Sequence, residues 1–250
     1  MSLTNKVALV AGGGRGIGAA TARLLAERGV HVAIAYHSNT AEASRLVASI
    51  RAAGGEAQAF QVDVRDEGQV THLVERIHAA YGPIDILVSN APAHARPRPL
   101  LQMRWEEFLQ PVADELKAAF TLTQAVLPTM VERQSGRLVF TASNLGKQPG
   151  FPGASAIGTG KAGLIAFTKY VAQEFGGYGI TANAVAPGMV DTALSAQVPP
   201  ALRQQIAAQT PLGRIAQPED IARVIVFLAS DEGGFMTGSC LPVSGGMAME

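Results

Sequence analysis

A cluster of glycines near the amino terminus is the first group of residues whose spacing could do chemistry. The cluster follows the apolar segment Lys6–Ala11 and comprises Gly12, Gly13, Gly14, Arg15, Gly16, Ile17 and Gly18. Glycine lets a backbone turn sharply and approach a pyrophosphate closely, and a helix N-terminus offers free N–H groups and a positive dipole end. The alternative is a flexible turn, but the position between a strand and a helix favours nucleotide binding.

The end of the second apolar segment indicates which dinucleotide would bind. An acidic residue about 20 positions after the glycines would hydrogen-bond the ribose 2′-hydroxyl of NAD. The segment instead ends in Tyr36, His37, Ser38 and Asn39, with no carboxylate. Arg15 and the three residues after Tyr36 could donate hydrogen bonds to a phosphate, and Tyr36 could cover the adenine. NADP(H) is therefore favoured over NAD(H), although His37 could also be a solvated loop histidine.

Short apolar segments alternate with longer amphipathic ones along the chain. The predicted strands are Lys6–Ala11, Val30–Tyr36, Ala57–Val64, Ile84–Asn90, Gly136–Ser143, Ile180–Ala186 and Ser239–Val243. The predicted helices are Gly16–Arg28, Ala41–Ala53, Glu67–Tyr81, Trp105–Arg133, Gly160–Phe175 and Pro218–Ser230. Parallel strands need long connections, which helices supply. We predict an α/β fold over residues 1–250: a single-domain Rossmann-type doubly wound parallel sheet of about seven strands, with helices on both faces.

Composition excludes several classes of function. The 250 residues are 48% hydrophobic and 16% charged, which is typical of a globular chain. Twenty Lys and Arg residues balance 20 Asp and Glu residues, so no net charge favours nucleic acid or an anionic membrane. A single cysteine, Cys240, favours a reducing compartment and no metal site. Met1–Lys6 has no apolar signal segment and no membrane-spanning run follows, so we expect a cytoplasmic protein.

From the spacing of Gly12, Gly16 and Gly18 onward, the sequence resembles the short-chain dehydrogenase/reductase family over essentially the whole chain, and its 3-oxoacyl-carrier-protein reductase branch most of all. The resemblance implies that Asp63 and Val64 contact the adenine. It also implies cofactor contacts from two later segments, which supply Asn90, Ala91, Pro187, Gly188, Val190 and Thr192.

The resemblance further implies a catalytic tetrad, from which the sequence departs at two positions. The family places a tyrosine four residues before a lysine on one helix, a serine upstream, and an asparagine in the preceding long helix. Ser143 and Lys161 match, and Lys161 would also hold the nicotinamide ribose. Ile157 stands at the tyrosine position and has no proton to give, while Glu115 stands near the asparagine position. His94 could serve as the acid, or could be a solvent-facing loop histidine.

The family resemblance also bears on substrate and assembly. It implies a carbonyl or acyl-thioester substrate and a mobile substrate lid at about residues 190–210. The family pairs its two long helices, here around Trp105–Arg133 and Pro152–Phe175, across a twofold axis. We therefore expect a homotetramer or dimer, or a hetero-oligomer with an active paralogue.

Three functions stay open at this point. The first is an atypical NADP(H)-dependent carbonyl reductase, since losing a general acid costs about 10²–10⁴ in rate without abolishing cofactor binding. The second is a non-catalytic cofactor-binding homologue or silent subunit. The third is a non-redox cyclase or isomerase in which Glu115 or His94 acts as acid or base. Ile157 could be natural or introduced, and the second departure at Glu115 favours natural divergence.

Overall fold

The computed structural model describes residues 3–91 and 96–249, in which strands and helices alternate. The strands are β1 (Val7–Ala11), β2 (His31–Tyr36), β3 (Glu56–Gln61), β4 (Ile86–Ser89), β5 (Gly136–Thr141), β6 (Ile180–Pro187) and β7 (Cys240–Val243). The helices are α1 (Gly16–Glu27), α2 (Thr40–Ala52), α3 (Glu67–Tyr81), α4 (Trp105–Glu132), α5 (Ser155–Phe175), α6 (Pro200–Gln209) and α7 (Pro218–Ala229).

The strands form one parallel sheet in the order β3-β2-β1-β4-β5-β6-β7. The chain builds outward from β1 to β3 and then crosses back to β4, so the strand order reverses between β1 and β4. Ala11, the last residue of β1, pairs with Ser89, the last residue of β4. Ligands bind outside the carboxyl ends of the strands at such a reversal. The predicted doubly wound parallel sheet is confirmed.

Helices cover both faces of the sheet, which explains why the strands are apolar almost throughout. Leu9 of β1 belongs to a buried cluster with residues of α3, α4 and α5. Its neighbours Ala8 and Val10 belong to a second cluster with residues of α1, α2 and α7. Successive strand residues point to opposite faces, so consecutive apolar residues are needed to fill two cores.

The helix predicted to begin at Gly160 begins instead at Ser155. Glycine disfavours helices, which is why the pattern gave a later start. Tertiary packing overrides that preference at Gly158, because a Cβ there would lie 2.9 Å from the carbonyl oxygen of Leu145. At Gly160 a Cβ would lie at ordinary contact distance, 3.4 Å from the Cα of Val112. α5 runs continuously through both glycines.

The segment 190–210 contains a helix that the sequence pattern did not indicate. A single 3₁₀ turn at Ser195–Gln197 precedes α6, which starts at Pro200 and has no buried residue. Proline suits the first position of a helix because its missing N–H has no partner there.

The two longest helices, α4 with 28 residues and α5 with 21, pack side by side. Each also carries large apolar side chains that remain exposed, among them Trp105 and Phe120 on α4 and Tyr170 on α5. In the part of the chain that the structure describes, no helix is long and apolar enough to span a bilayer.

Candidate active site

The glycine cluster and the segment after β4 interlock where the strand order reverses. Gly12 has a φ of 66°, and a Cβ on it would lie 2.6 Å from the carbonyl oxygen of Asn90. Asn90 Nδ2 in turn donates a hydrogen bond to the carbonyl oxygen of Gly12 at 3.3 Å. Only glycine permits this approach. The structure thus brings two of the predicted cofactor residues together at the carboxyl end of β1.

The N-terminus of α1 fits a bound pyrophosphate. The helix begins at Gly16, its N-cap Arg15 makes no side-chain capping bond, and its first turn carries no acidic residue. The first N–H groups of a helix have no acceptor within the helix. They are therefore available to an anion, which the helix dipole also favours. A Cβ on Gly18 would lie 2.3 Å from the carbonyl oxygen of Gly12, so the loop is tightly wound.

Thr192 lies across the crevice from the glycine loop. A Cβ on Gly16, which has a φ of 53°, would lie 3.2 Å from the Cγ2 of Thr192. Val190, two residues earlier, is buried and forms an isolated parallel bridge with Ala216. This bridge anchors the start of the segment 190–210 and holds Thr192 near the loop.

A cavity of about 390 Å³ opens beside the glycine loop, between α1 and α2. It is lined by Gly14, Arg15, Gly16, Ala19, Arg23, Glu42, Arg45 and Leu46. Three of the lining residues are arginines. The Oε2 atom of Glu42 is buried and has no hydrogen-bond partner. The β carbon of Tyr36, at the end of β2, lies 3.6 Å from where a Cβ on Gly14 would be. His37 and Ser38 are exposed.

Asp63 follows β3 and is paired with an arginine that sequence reasoning did not single out. Arg65 donates to both carboxylate oxygens of Asp63, at 2.9 and 2.7 Å, and also to Asp114 of α4 at 3.0 Å. The hydrogen bonds from Arg65 lower the pKa of Asp63 to about 2. His37 Nε2 lies 3.9 Å from the same carboxylate. Asp63 is therefore ionised at neutral pH, and Val64 after it packs against the core.

Gly188, just after β6, lies beside a residue that sequence reasoning also missed. A Cβ on Gly188 would lie 3.4 Å from the Cα of Ser244 and 3.6 Å from the Nδ2 of Asn144. The Oδ1 of Asn144 is buried and has no hydrogen-bond partner. Such an unpartnered acceptor beside the crevice is available to a ligand donor. The only sequence signal was that Asn144 directly follows Ser143.

The short turn that follows Ser143 packs against Lys161. Ser143 caps the 3₁₀ turn Asn144–Gly146, and its Oγ accepts a hydrogen bond from the Leu145 N–H at 3.2 Å. A Cβ on Gly146 would lie 2.7 Å from the carbonyl carbon of Lys161, so this turn rests directly on α5. Ile157 lies on the same helix four residues before Lys161, and residues at this spacing share a helix face.

Lys161 makes a buried ion pair. Its Nζ donates to Oε1 of Glu115 at 2.9 Å and to the carbonyl oxygen of Thr141 at 2.8 Å. The side chains of Glu115 and Lys161 are 7% and 14% exposed, so both charges are largely removed from water. A Cβ on Gly160 would lie 3.5 Å from the Cβ of Glu115, which shows how closely α4 approaches α5. The Oγ1 of Thr141 is also buried without a partner.

Comparison with known proteins assigns the family. A family model described as Enoyl-(Acyl carrier protein) reductase matches residues 11–248. The 3-oxoacyl-(acyl-carrier-protein) reductases FabG of Pseudomonas aeruginosa and Thermotoga maritima are 38% and 36% identical over 249 residues, with 100% of each chain covered. A solved short-chain dehydrogenase/reductase variant from Serratia marcescens has a TM-score of 0.92 at 29% identity, again with 100% of both chains covered.

The chain belongs to the short-chain dehydrogenase/reductase family. The resemblance inferred from the glycine spacing is thereby confirmed. The residue four positions before Lys161 is Ile157, whose side chain is aliphatic. His94, the alternative acid, lies outside the described residues.

The four tyrosines of this short-chain dehydrogenase/reductase lie on other parts of the chain. Tyr36 ends β2, and Tyr81 stacks on His31, which begins β2 at the opposite edge of the sheet. Tyr170 lies nine residues beyond Lys161 on α5, which is about 13 Å along a helix. Tyr178 lies in a turn after that helix ends. None of the four tyrosines occupies the position one turn before Lys161.

Proposed function

We propose that this protein is an atypical NADP(H)-dependent carbonyl reductase of 3-oxoacyl-like substrates that works without the usual catalytic tyrosine. The observation that carries the proposal is the convergence of four segments at one edge of the sheet. Gly12, Asn90, Ser143 and Gly188 follow β1, β4, β5 and β6 at their carboxyl ends. The FabG reductases to which the chain is similar support the choice of substrate class.

The cofactor proposal rests on the glycine loop and the cavity beside it. The uncapped start of α1 would hold the pyrophosphate, and Pro187, Gly188, Val190 and Thr192 would line the nicotinamide end. Arg15, Arg23 and Arg45 line the cavity and make no ion pair among the described residues, which favours a cofactor with a 2′-phosphate. Ala91 and Ile17 would border the same crevice.

In the reduction, each residue has a limited task. The nicotinamide supplies the hydride when it is bound. Ser143 would donate a hydrogen bond to the substrate oxygen, and Lys161 would hold the nicotinamide ribose with the N–H that Glu115 and Thr141 leave free. Ile157 cannot donate a proton, so the proton would come from water or from His94. A reaction without a positioned general acid is slower by about 10²–10⁴.

Assembly, lid and compartment complete the proposal. Exposed Trp105, Leu109 and Phe120 on α4 and Tyr170 on α5 support a dimer or tetramer built on these two helices, because large apolar patches mark interfaces. The segment 190–210, with its exposed α6, would act as the substrate lid of the single domain. The neutral charge balance and single cysteine favour a cytoplasmic enzyme.

A second candidate is a cofactor-binding protein without redox activity, possessing the fold but not the chemistry. The ion pair of Glu115 with Lys161 favours this second candidate, because the Lys161 ammonium, which in the family lies next to the proton donor, is already bound by a carboxylate. Titration of the purified protein with NADPH and NADH, followed by a panel of ketones and 3-oxoacyl thioesters, separates the two. We expect tighter binding of NADPH and slow NADPH consumption. Binding without turnover would favour the second candidate, and absence of binding would overturn both.

A further inference from the structure

Glu115 and Lys161 form a buried ion pair within the candidate site, and the role of Glu115 in that pair is not accounted for by the proposed reaction. A carboxylate that is 7% exposed loses most of its hydration, so it must be compensated by a partner. The partner is Lys161, at the position where the family has a lysine that lowers the pKa of a tyrosine one turn before it. In this chain the residue one turn before Lys161 is Ile157, which has no titratable group.

The donors of Lys161 can be counted. An ammonium has three N–H groups and no acceptor. Glu115 Oε1 and the Thr141 carbonyl accept two of them, at 2.9 and 2.8 Å. The carboxylate also offsets the charge of the ammonium from hydrogen-bonding distance. A side chain at position 157 therefore lies near an ion pair with no net charge, and not near an isolated cation.

We propose that Glu115 is a positioning residue that fixes the ammonium of Lys161 and cancels its effect on the side chain at position 157. This inference rests on the proposed function. It adds that the two differences from the family tetrad, at Ile157 and Glu115, depend on each other. A nearby uncompensated cation lowers the pKa of a phenol. With Glu115 in place, a tyrosine at 157 would gain little from Lys161, so an aliphatic residue is tolerated there.

Asp114, Lys117 and Lys147 on the neighbouring elements have partners of their own. On α4, Asp114 pairs with Arg65 and Lys117 lies 3.9 Å from Glu67. In the turn after β5, Lys147 donates to the carbonyl oxygen of Cys240 at 3.0 Å. On α5 itself, Lys169 lies two turns beyond Lys161 and is exposed. Of the described groups, Glu115 is the one in direct contact with the Lys161 ammonium.

The test introduces a titratable reporter at position 157 of the full chain. Three variants are compared: Ile157→Tyr, Ile157→Tyr with Glu115→Gln, and Ile157→Tyr with Asp114→Asn. Glutamine keeps an acceptor for Lys161 and removes the charge, and Asp114→Asn removes the adjacent carboxylate that does not contact Lys161. The ionisation of the introduced phenol is followed by ultraviolet difference absorbance against Ile157→Phe.

We expect the phenol to titrate near its ordinary pKa of about 10 in Ile157→Tyr and in the Asp114→Asn control. With Glu115→Gln the midpoint is expected to be lower by about 1–3, because the ammonium is then unopposed. Equal midpoints in all three variants, a low midpoint already in Ile157→Tyr, or the same lowering by Asp114→Asn would each overturn the inference. If Glu115 served only to hold α4 against α5, Glu115→Gln would not change the titration midpoint of the phenol.

If the tyrosine ring does not fit, a smaller reporter replaces it. Ile157→Cys in a Cys240→Ser background carries one thiol, whose alkylation rate against pH reports its ionisation. Glu115→Gln is expected to move that profile to lower pH and Asp114→Asn to leave it unchanged; identical profiles overturn the inference. NADPH affinity is measured on the same variants. If cofactor binding fails while the midpoint shifts, the proposed function fails and the role of Glu115 stands.

Discussion

Oε1 of Glu115 accepts a hydrogen bond from Nζ of Lys161 at 2.9 Å, across the line where α4 packs on α5. The same ammonium donates to the last residue of β5, so one side chain ties two helices to the sheet. The consequences of this contact for stability and for chemistry can be measured separately.

Breaking the pair from the cationic side is expected to destabilise the fold. Lys161→Met leaves a buried carboxylate without its cation, and we expect the free energy of unfolding to fall by about 3–5 kcal/mol. Adding Glu115→Gln should recover a large part of that loss. Urea denaturation measures both. Lys117→Met, on the exposed side of α4, is the control and should change little. A double variant no more stable than Lys161→Met would contradict this reading.

Under the proposed function, introducing a phenol at position 157 is expected to raise carbonyl reduction only in part. Ile157→Tyr supplies a proton donor, but its full effect of about 10²–10⁴ in kcat/KM should require Glu115→Gln as well. Ile157→Phe adds the ring without the hydroxyl and is the matched control. Steady-state NADPH oxidation with a 3-oxoacyl thioester measures Ile157→Tyr and Ile157→Phe, each with and without Glu115→Gln. Equal rates for Tyr and Phe at position 157, in both backgrounds, would count against proton donation from this position.

Cofactor choice is expected to depend on the arginine-lined cavity. Arg15→Gln removes a charged donor, which typically contributes about 1.5–3 kcal/mol, so NADPH affinity should fall about 10–100-fold while NADH affinity changes little. Glu42→Gln should strengthen NADPH binding, because it removes a carboxylate from the same cavity. Fluorescence titration with both cofactors checks the two variants. A loss of equal size for NADPH and NADH would place Arg15 away from the 2′-phosphate.

The glycine loop is expected to reject side chains where its backbone is most crowded. Gly18→Ala would put a Cβ 2.3 Å from the Gly12 carbonyl oxygen, so it should distort the start of α1 and abolish NADPH binding. Gly176→Ala, where no atom lies within 4 Å, is the matched control and should leave binding intact. Isothermal titration calorimetry and thermal unfolding test both. A Gly18→Ala protein that still binds NADPH normally would separate the loop from the cofactor.

Acid stability should depend on Arg65. The pKa of Asp63 is lower in the folded chain, at about 2, than its ordinary value of 3.8, so the interaction stabilises the fold above about pH 4. That contribution is lost as the pH falls from about 4 to about 2. Arg65→Gln should therefore move acid unfolding to higher pH, as monitored by circular dichroism. Asp114→Asn keeps the Asp63 hydrogen bonds and should move it less; an equal shift would assign the effect to Asp114.

The fold was largely predictable from the sequence, because apolar segments at strand length and amphipathic segments at helix length record burial directly. The start of α5 was not, since Gly158 and Gly160 disfavour a helix locally and the close packing that requires glycine at position 158 comes from another segment. α6 was missed for the related reason that it buries no residue, so it leaves no apolar stripe to detect.

The residues proposed for the site were named from the sequence, but the pairings between them were not. The family resemblance drew attention to Glu115 and Lys161, yet nothing in the sequence indicates that residues 46 positions apart bond directly. The same holds for Arg65, which engages Asp63 and a residue 49 positions away. Asn144, with its unpartnered Oδ1, could have been noticed only as a polar residue following a predicted strand.

Gly160 lies where α5 packs against α4 beside Glu115, so the size of the side chain at that position affects the distance between Glu115 and Lys161. Alanine there would still sit at ordinary contact distance, 3.4 Å from the Cα of Val112 and 3.5 Å from the Cβ of Glu115. A branched or longer side chain would act as a wedge that forces the two helices apart and draws the carboxylate out of reach of the ammonium. The electrostatics of this cleft thus depend on a residue whose contribution is the room it leaves.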